Sequence, residues 1–126
     1  MNEVSGSEKV LPDGVVTLPI GEVGKLLSLA VSRVHQLVRD GQLLALRRDG
    51  DHVVPADFLV TGDDGVTTVV KGLPGTVTVL RDGGYSDADI LRWLFTEDES
   101  LSGTPMGFIT AGRHREIKRR AQAMAF

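Results

Sequence analysis

The polar side chains between Ser32 and Arg39 are of the kinds that contact the edges of nucleic-acid bases. If Val34, Leu37 and Val38 form the buried stripe of a helix with about 100° per residue, five polar residues lie on or beside the opposite face. Ser32, Gln36 and Arg39 point directly away from the stripe, and Arg33 and His35 flank them. Arg can bind guanine with two hydrogen bonds, Gln can pair with adenine, and Ser or the helix N-terminus can bind a phosphate. The pattern indicates a base-reading helix, with an ordinary solvated helix face as the alternative.

A pair of helices separated by a short break is predicted to position these side chains. Pro19 stands in the first turn, where a helix tolerates proline best, and the apolar residues that follow it repeat on one face. We therefore expect a first helix over residues 19–27, a connection over 28–30, and a second helix over 31–39 that a left-handed Gly41 stops. This order is typical of a helix-turn-helix, in which the first helix braces the second across the major groove of DNA.

A β-hairpin is predicted directly after the second helix. Apolar runs at residues 43–46 and 52–54 flank an Asp-Gly pair, which favours two strands joined by a tight turn. Arg47 and Arg48 lie at the tip of this hairpin, as in a wing that contacts the DNA backbone or the minor groove. Two neighbouring aspartates weaken the positive charge of the tip, and a solvated turn is the alternative interpretation.

The net charge of the chain argues against DNA binding, but the distribution of the charges along the chain does not. The net charge is −3, from 14 basic and 17 acidic residues, whereas affinity for phosphates normally depends on Lys and Arg. Acidic residues gather at 63–64, 82–89 and 97–99, but residues 113–120 carry five basic side chains against Glu116 alone. The basic tail adds three candidate phosphate contacts, Arg115, Lys118 and Arg119. A solvated helix face explains these three residues equally well.

The remainder of the chain is predicted to be mainly helical. Residues 1–16 are small, polar and aperiodic, and we expect them to form a flexible arm. Helices are predicted over 73–82, from the capping box of Ser86 and Asp89, from Thr104 through 109, and over 113–124. The expected fold is mostly α with a small two-stranded β-hairpin. It comprises a winged helix-turn-helix at 17–60 and a C-terminal helical part at 66–126, packed together in one compact domain.

Catalysis finds little support in the sequence. The absence of cysteine removes thiolate chemistry and the common structural zinc sites, and the three histidines are too scattered to suggest a metal set. Asp87 and Asp89 stand near a helix start, where carboxylates act as caps more often than as an acid and base pair. We therefore expect no catalytic residue, metal or cofactor. No apolar run is long enough to span a bilayer and no signal peptide is apparent, so we expect a cytoplasmic protein with no membrane partner, acting at the nucleoid.

The second half of the chain contains four specific motifs, Val70-Lys71-Gly72-Leu73-Pro74-Gly75, Asp82-Gly83-Gly84-Tyr85, Leu91-Arg92-Trp93-Leu94-Phe95-Thr96 and Arg119-Arg120-Ala121-Gln122-Ala123-Met124-Ala125. These motifs resemble a small actinobacterial family of winged-helix DNA-binding proteins. The winged helix is also similar to that of the excisionase and MerR-like group. The resemblance covers nearly everything after Thr17. It implies binding of double-stranded DNA through the winged helix, by a transcriptional regulator or a nucleoid-associated protein.

The resemblance also raises the question of protein partners. The best-known member of the family is a substrate of a membrane Ser/Thr protein kinase, and its target is a threonine in the N-terminal arm. In this chain residues 1–16 contain no threonine, only Ser5 and Ser7, which puts a kinase partner in doubt. A single domain of this size usually binds half of a DNA site, so specific binding is expected to need a homodimer.

An alternative function is suggested by a second, shorter similarity. Residues 84–87, 93–94 and 101–106 are similar to the C-terminal domain of Xre/MbcA/ParS-type antitoxins, a module that binds a partner protein. On this interpretation the chain is a protein-binding module and Trp93 contributes to its interface. The simpler interpretation is that Trp93 and Met106 belong to the core.

Overall fold

The computed structural model describes residues 10–126, which form six α-helices and two small antiparallel sheets. The helices are α1 Ile20–Leu27, α2 Val31–Arg39, α3 Leu73–Asp82, α4 Asp87–Phe95, α5 Pro105–Thr110 and α6 His114–Ala125. The strands are β1 Thr17–Pro19, β2 Leu46–Arg48, β3 Asp51–Pro55, β4 Leu59–Thr61 and β5 Thr67–Val69, with a 3-10 turn at Ala56–Phe58. The mostly helical fold predicted from the sequence is confirmed.

The break between α1 and α2 is as short as predicted. Ser28 caps α1 in the left-handed conformation, with φ of 58°, and the Leu29 amide donates to the Gly24 carbonyl at 2.8 Å. These contacts turn the chain within three residues, so that α2 begins at Val31. Beyond α2, Gly41 has the positive φ expected of a helix stop, at 79°.

The wing sheet has three strands where the sequence predicted two. The predicted hairpin is present, with Arg47 opposite His52 across a turn in which Asp49 and Gly50 both have positive φ. In addition, β1 pairs with β3, which places β3 in the middle of the sheet. β1 is only three residues long and ends at Pro19, so no alternation of apolar and polar residues could reveal it.

A second hairpin, β4 and β5, follows the wing. β4 pairs with β5 in antiparallel register, and the hydroxyls of Thr61 and Thr67 lie 2.7 Å apart. Both strands have three residues, which is too few for a period of two to stand out from the sequence.

The segment before β1 differs from the flexible arm expected over residues 1–16. Val10 and Leu11 are buried, and the carbonyls of Pro12 and Val15 accept hydrogen bonds from Arg48. Burial of two apolar side chains joins residues 10–16 to the folded part, although they show no periodicity. Residues 1–9, including Ser5 and Ser7 considered as kinase targets, lie outside the described residues.

The C-terminal helices pack onto the winged part through a shared core. α3 and α6 lie side by side and run in the same direction, since Gly72 contacts His114 at one end and Gly83 contacts Ala125 at the other. The predicted capping box of Ser86 and Asp89 starts α4. The rings of Phe58 and Phe95 contact each other with centroids 5.9 Å apart, and they belong to a hydrophobic cluster that draws on both halves. None of the helices in residues 10–126 is both long enough and apolar enough to cross a membrane.

Candidate nucleic-acid interface

The outer face of α2 carries the polar side chains that the helical wheel placed there. Ser32, Arg33, Gln36 and Arg39 are exposed, while Val34 and Val38 are buried. The Arg33 guanidinium donates to the Gln36 side-chain oxygen at 3.2 Å, so these two residues form a pair one turn apart on the surface. We call this exposed set, Ser32, Arg33, Gln36 and Arg39, the reading face.

His35 lies at the edge of the reading face and contacts the wing. Its ring stacks on that of His52 in β3, with centroids 5.4 Å apart and planes tilted by 20°. The side chain of His35 is half-buried, unlike the four exposed residues of the reading face. The wheel placed His35 beside the reading face, but no feature of the sequence indicated its partner 17 positions away.

The two arginines of the wing have different surroundings. Arg47 is exposed, and its guanidinium donates to the Gly50 carbonyl at 3.2 Å, which holds the side chain along the turn. Arg48 is half-buried and donates to the Val15 carbonyl at 2.7 Å and to the Pro12 carbonyl at 3.3 Å. The Arg48 guanidinium therefore holds the segment before β1 against the wing, whereas Arg47 is the wing arginine presented on the surface.

The basic residues of the last helix divide into a paired and an unpaired group. Arg113 and Arg120 both form ion pairs with Glu116, and Arg120 also lies 3.9 Å from Asp98. The other three, Arg115, Lys118 and Arg119, are exposed on one side of α6 and form no ion pair within residues 10–126. We call these three residues the basic face of α6. A cationic surface without internal counter-charges suits a polyanion.

A contact that the sequence did not reveal connects the C-terminal helices to α2. Arg81 of α3 binds both carboxylate oxygens of Asp87, at 2.9 Å each, and donates to the main-chain carbonyls of Val38 and Arg39. We call this set of hydrogen bonds the Arg81 clamp. The sequence assigned Asp87 only a capping role at a helix start, and that role gave no reason to expect Arg81 as its partner.

Two helices joined by a three-residue break, followed by an antiparallel wing, define the class as a winged helix-turn-helix protein. Residues 3–59 match the family described as DNA-binding protein Rv2175c, wHTH domain, and residues 70–125 match the Rv2175c C-terminal domain of unknown function. The chain belongs to the Rv2175c family.

Individual relatives agree with the family assignment. The DNA-binding protein Rv2175c of Mycobacterium tuberculosis (strain ATCC 25618 / H37Rv) is 39% identical over an alignment of 138 residues, which covers 100% of this chain and 92% of the relative. The NMR structure of Rv2175c has a TM-score of 0.82 and 41% identity, and the match covers 94% of this chain and 87% of that one. The expected resemblance to an actinobacterial winged-helix family is confirmed. The narrower similarities to MerR-like proteins and to Xre-type antitoxins are not confirmed.

Proposed function

We propose that this protein binds double-stranded DNA, with α2 in the major groove and the wing on the backbone, and that it acts at the nucleoid as a transcriptional regulator or a nucleoid-associated protein. The observation that carries the proposal is the reading face, because its Arg33, Gln36 and Arg39 are exposed together on the second helix of a helix-turn-helix. Such side chains can make paired hydrogen bonds to guanine and adenine. The M. tuberculosis relative is itself named a DNA-binding protein.

The wing and the last helix supply the phosphate contacts in this proposal. Arg47 lies exposed at the wing, and Arg48 secures the wing from behind through its bonds to the segment before β1. The basic face of α6 concentrates three cations on one side of the helix, where they can contact phosphates although the net charge of the whole chain is −3. Because the chain has one reading helix, we propose that a homodimer on two half-sites provides full specificity.

The protein-binding alternative loses much of its basis in the structure. Met106, in the antitoxin-like residues 101–106, is only 1% exposed, so it offers no apolar surface to a partner. Trp93 is partly buried and packs against the hydrophobic cluster. Met106 belongs to the core and Trp93 packs against it, and we do not propose a protein-binding function.

A selection from random duplexes with the purified protein, repeated at a low and a high salt concentration, tests the proposal. Recovery of one enriched sequence at both salt concentrations supports sequence readout and a regulator. Salt-sensitive retention of duplex without enrichment supports a nucleoid-associated protein, since phosphate contacts carry no sequence information. The proposed function is wrong if the folded protein retains no duplex even at low salt.

A further inference from the structure

The Arg81 clamp comprises four hydrogen bonds, two of which connect the C-terminal helices to the end of α2. The Arg81 Nε and Nη2 atoms each lie 2.9 Å from an oxygen of Asp87. The same guanidinium donates to the Val38 carbonyl at 3.0 Å and to the Arg39 carbonyl at 3.1 Å. The Asp87 side chain is only 7% exposed and that of Arg81 is 21% exposed, so water competes weakly for the bonds between these two side chains.

The clamp acts where a helix has unsatisfied carbonyls. The last four carbonyls of a helix lack partners within the helix, and a cation there is favoured by the helix dipole. Asp87 binds the Arg81 guanidinium through both carboxylate oxygens, which fixes the orientation of the guanidinium plane as well as its position. A Cβ atom on Gly41 would lie 3.3 Å from Arg81 Nη1, so the chain leaving α2 passes close to the guanidinium. The end of α2 is therefore held in one place relative to α3 and α4.

The clamped residues include one from the reading face. The Arg39 carbonyl accepts from Arg81, while the Arg39 side chain is exposed on the outer side of α2. A shift of the helix end would displace the Arg39 and Gln36 side chains relative to the base edges. Paired hydrogen bonds to bases demand accurate placement, whereas contacts between a mobile cation and a phosphate tolerate displacement.

We propose that Arg81, held by Asp87, is a positioning residue for DNA recognition. On this view one function of residues 70–125, which match a domain of unknown function, is to fix the orientation of α2 in the major groove. The inference rests on the proposed function. It predicts that loss of the clamp lowers discrimination between DNA sequences more than it lowers attraction to duplex in general.

The test compares Arg81→Gln and Asp87→Asn with Arg120→Gln. Arg120 is the matched control, because it is also a partly exposed arginine in ion pairs of the C-terminal part, but it pairs with Glu116 and Asp98 rather than with Asp87. The measured quantity is the ratio of the dissociation constants for a duplex enriched by the selection and for a shuffled duplex, at one salt concentration. Both clamp variants should reduce this discrimination by about tenfold, the size of one base contact, and the control should leave it unchanged.

The two clamp variants separate positioning from charge. Arg81→Gln lowers the net charge by one and Asp87→Asn raises it by one, so a pure charge effect would move affinity for the shuffled duplex in opposite directions. Discrimination falls in both variants only if the geometry of α2 matters. An unchanged ratio in both folded variants overturns the proposal, as does a selection that enriches no sequence. If Arg81→Gln fails to fold, Arg81→Lys keeps the charge but lacks the planar guanidinium, and a lower discrimination at unchanged net charge then tests the geometry alone.

Hydrogen exchange in the free protein gives a readout without DNA. The Asp40 and Gly41 amides donate to the Gln36 and Val38 carbonyls at the end of α2. Their exchange should accelerate in both clamp variants, while the Leu29 amide before α2 exchanges as in the wild type. If the wild type binds no duplex, the proposed DNA-binding function is wrong, and so is the proposal that Arg81 positions α2 for DNA recognition. Faster exchange would then still show that Arg81 orders the end of α2, and unchanged exchange would overturn the clamp itself.

Discussion

His35 of α2 and His52 of β3 stack with ring centroids 5.4 Å apart and an angle of 20° between their planes. One ring belongs to the reading helix and the other to the central strand of the wing sheet. The contact therefore joins the two elements proposed to enter neighbouring parts of the DNA, outside the hydrophobic core. The stacked rings hold α2 and the wing in a fixed relationship in the free protein.

Replacement of either histidine by alanine should weaken this relationship. A double-mutant cycle with His35→Ala, His52→Ala and the double variant should give a coupling energy of about 0.5–1.5 kcal/mol, as for other aromatic pairs. The measurement is the free energy of unfolding from denaturant titration. His35→Phe, which retains a flat ring, should recover most of the coupling. Strictly additive effects of the two alanine substitutions would contradict the assignment of an energetic role to the stack.

Removal of the two arginines of the reading face should weaken DNA binding without unfolding the protein. Arg33→Ala and Arg39→Ala should each cost about 1–3 kcal/mol of binding free energy for the enriched duplex if they bind bases. The matched control is Arg113→Ala with Arg120→Ala, which removes two positive charges that pair with Glu116 instead. Fluorescence anisotropy over a series of salt concentrations measures both pairs. Equal losses in the two double variants would indicate that only total charge matters.

The basic face of α6 should contribute salt-dependent affinity and no sequence preference. The triple variant Arg115→Gln, Lys118→Gln, Arg119→Gln should reduce the slope of log affinity against log salt by up to about 0.9 for each phosphate that these side chains neutralise. Affinity should fall by the same factor for enriched and shuffled duplexes. Stability should change by less than about 0.5 kcal/mol per residue, because the three side chains are exposed. An unchanged slope would assign these residues to a solvated face.

Gly72 should be far less replaceable than Gly50, although both have positive φ. Gly72 has φ of 94° and a Cβ there would lie 2.1 Å from the His114 Cβ, whereas a Cβ at Gly50, with φ of 84°, meets nothing within 4 Å. Gly50→Ala should cost about 1–2 kcal/mol of folding free energy from the left-handed backbone alone. Gly72→Ala should cost about 1–3 kcal/mol more, because α6 must move away from α3. Denaturant unfolding measures both, and equal losses would refute the close approach.

Asp98 should titrate at lower pH than an ordinary aspartate. The Ser100 hydroxyl and the Ser100 amide both donate to its carboxylate, and these bonds, with a weaker contribution from the charge of Arg120, hold the pKa of Asp98 below its usual value. A lowered pKa in the folded state contributes stability that is present above the unfolded value and lost as the pH falls through the folded value. An NMR titration below pH 4 should therefore show Ser100→Ala raising the pKa of Asp98. An unchanged midpoint would mean that the hydrogen bonds are not maintained in solution.

Structural features that depend on residues close together in the chain could be predicted from the sequence. The outward face of α2 followed from the spacing of Val34 and Val38, and the end of the helix followed from Gly41. The capping box that starts α4 and the bounds of α3 were likewise predicted, and both are confirmed. Helical period, caps and positive φ are properties of a few consecutive residues, so local rules were sufficient for them.

Contacts between distant parts of the chain were decided only by the tertiary structure. The third strand of the wing sheet, the hydrogen bonds of Arg48 to the segment before β1, and the stacking of His35 on His52 all join residues from different elements. The Arg81 clamp joins positions 42 and 43 residues apart, and no local pattern in the sequence connects Arg81 with the end of α2. The amino-acid sequence by itself therefore determined which side chains α2 presents. The packing of the C-terminal helices decided where that helix is held, because a side chain's distant partner depends on how the whole core closes and not on its neighbours in the chain.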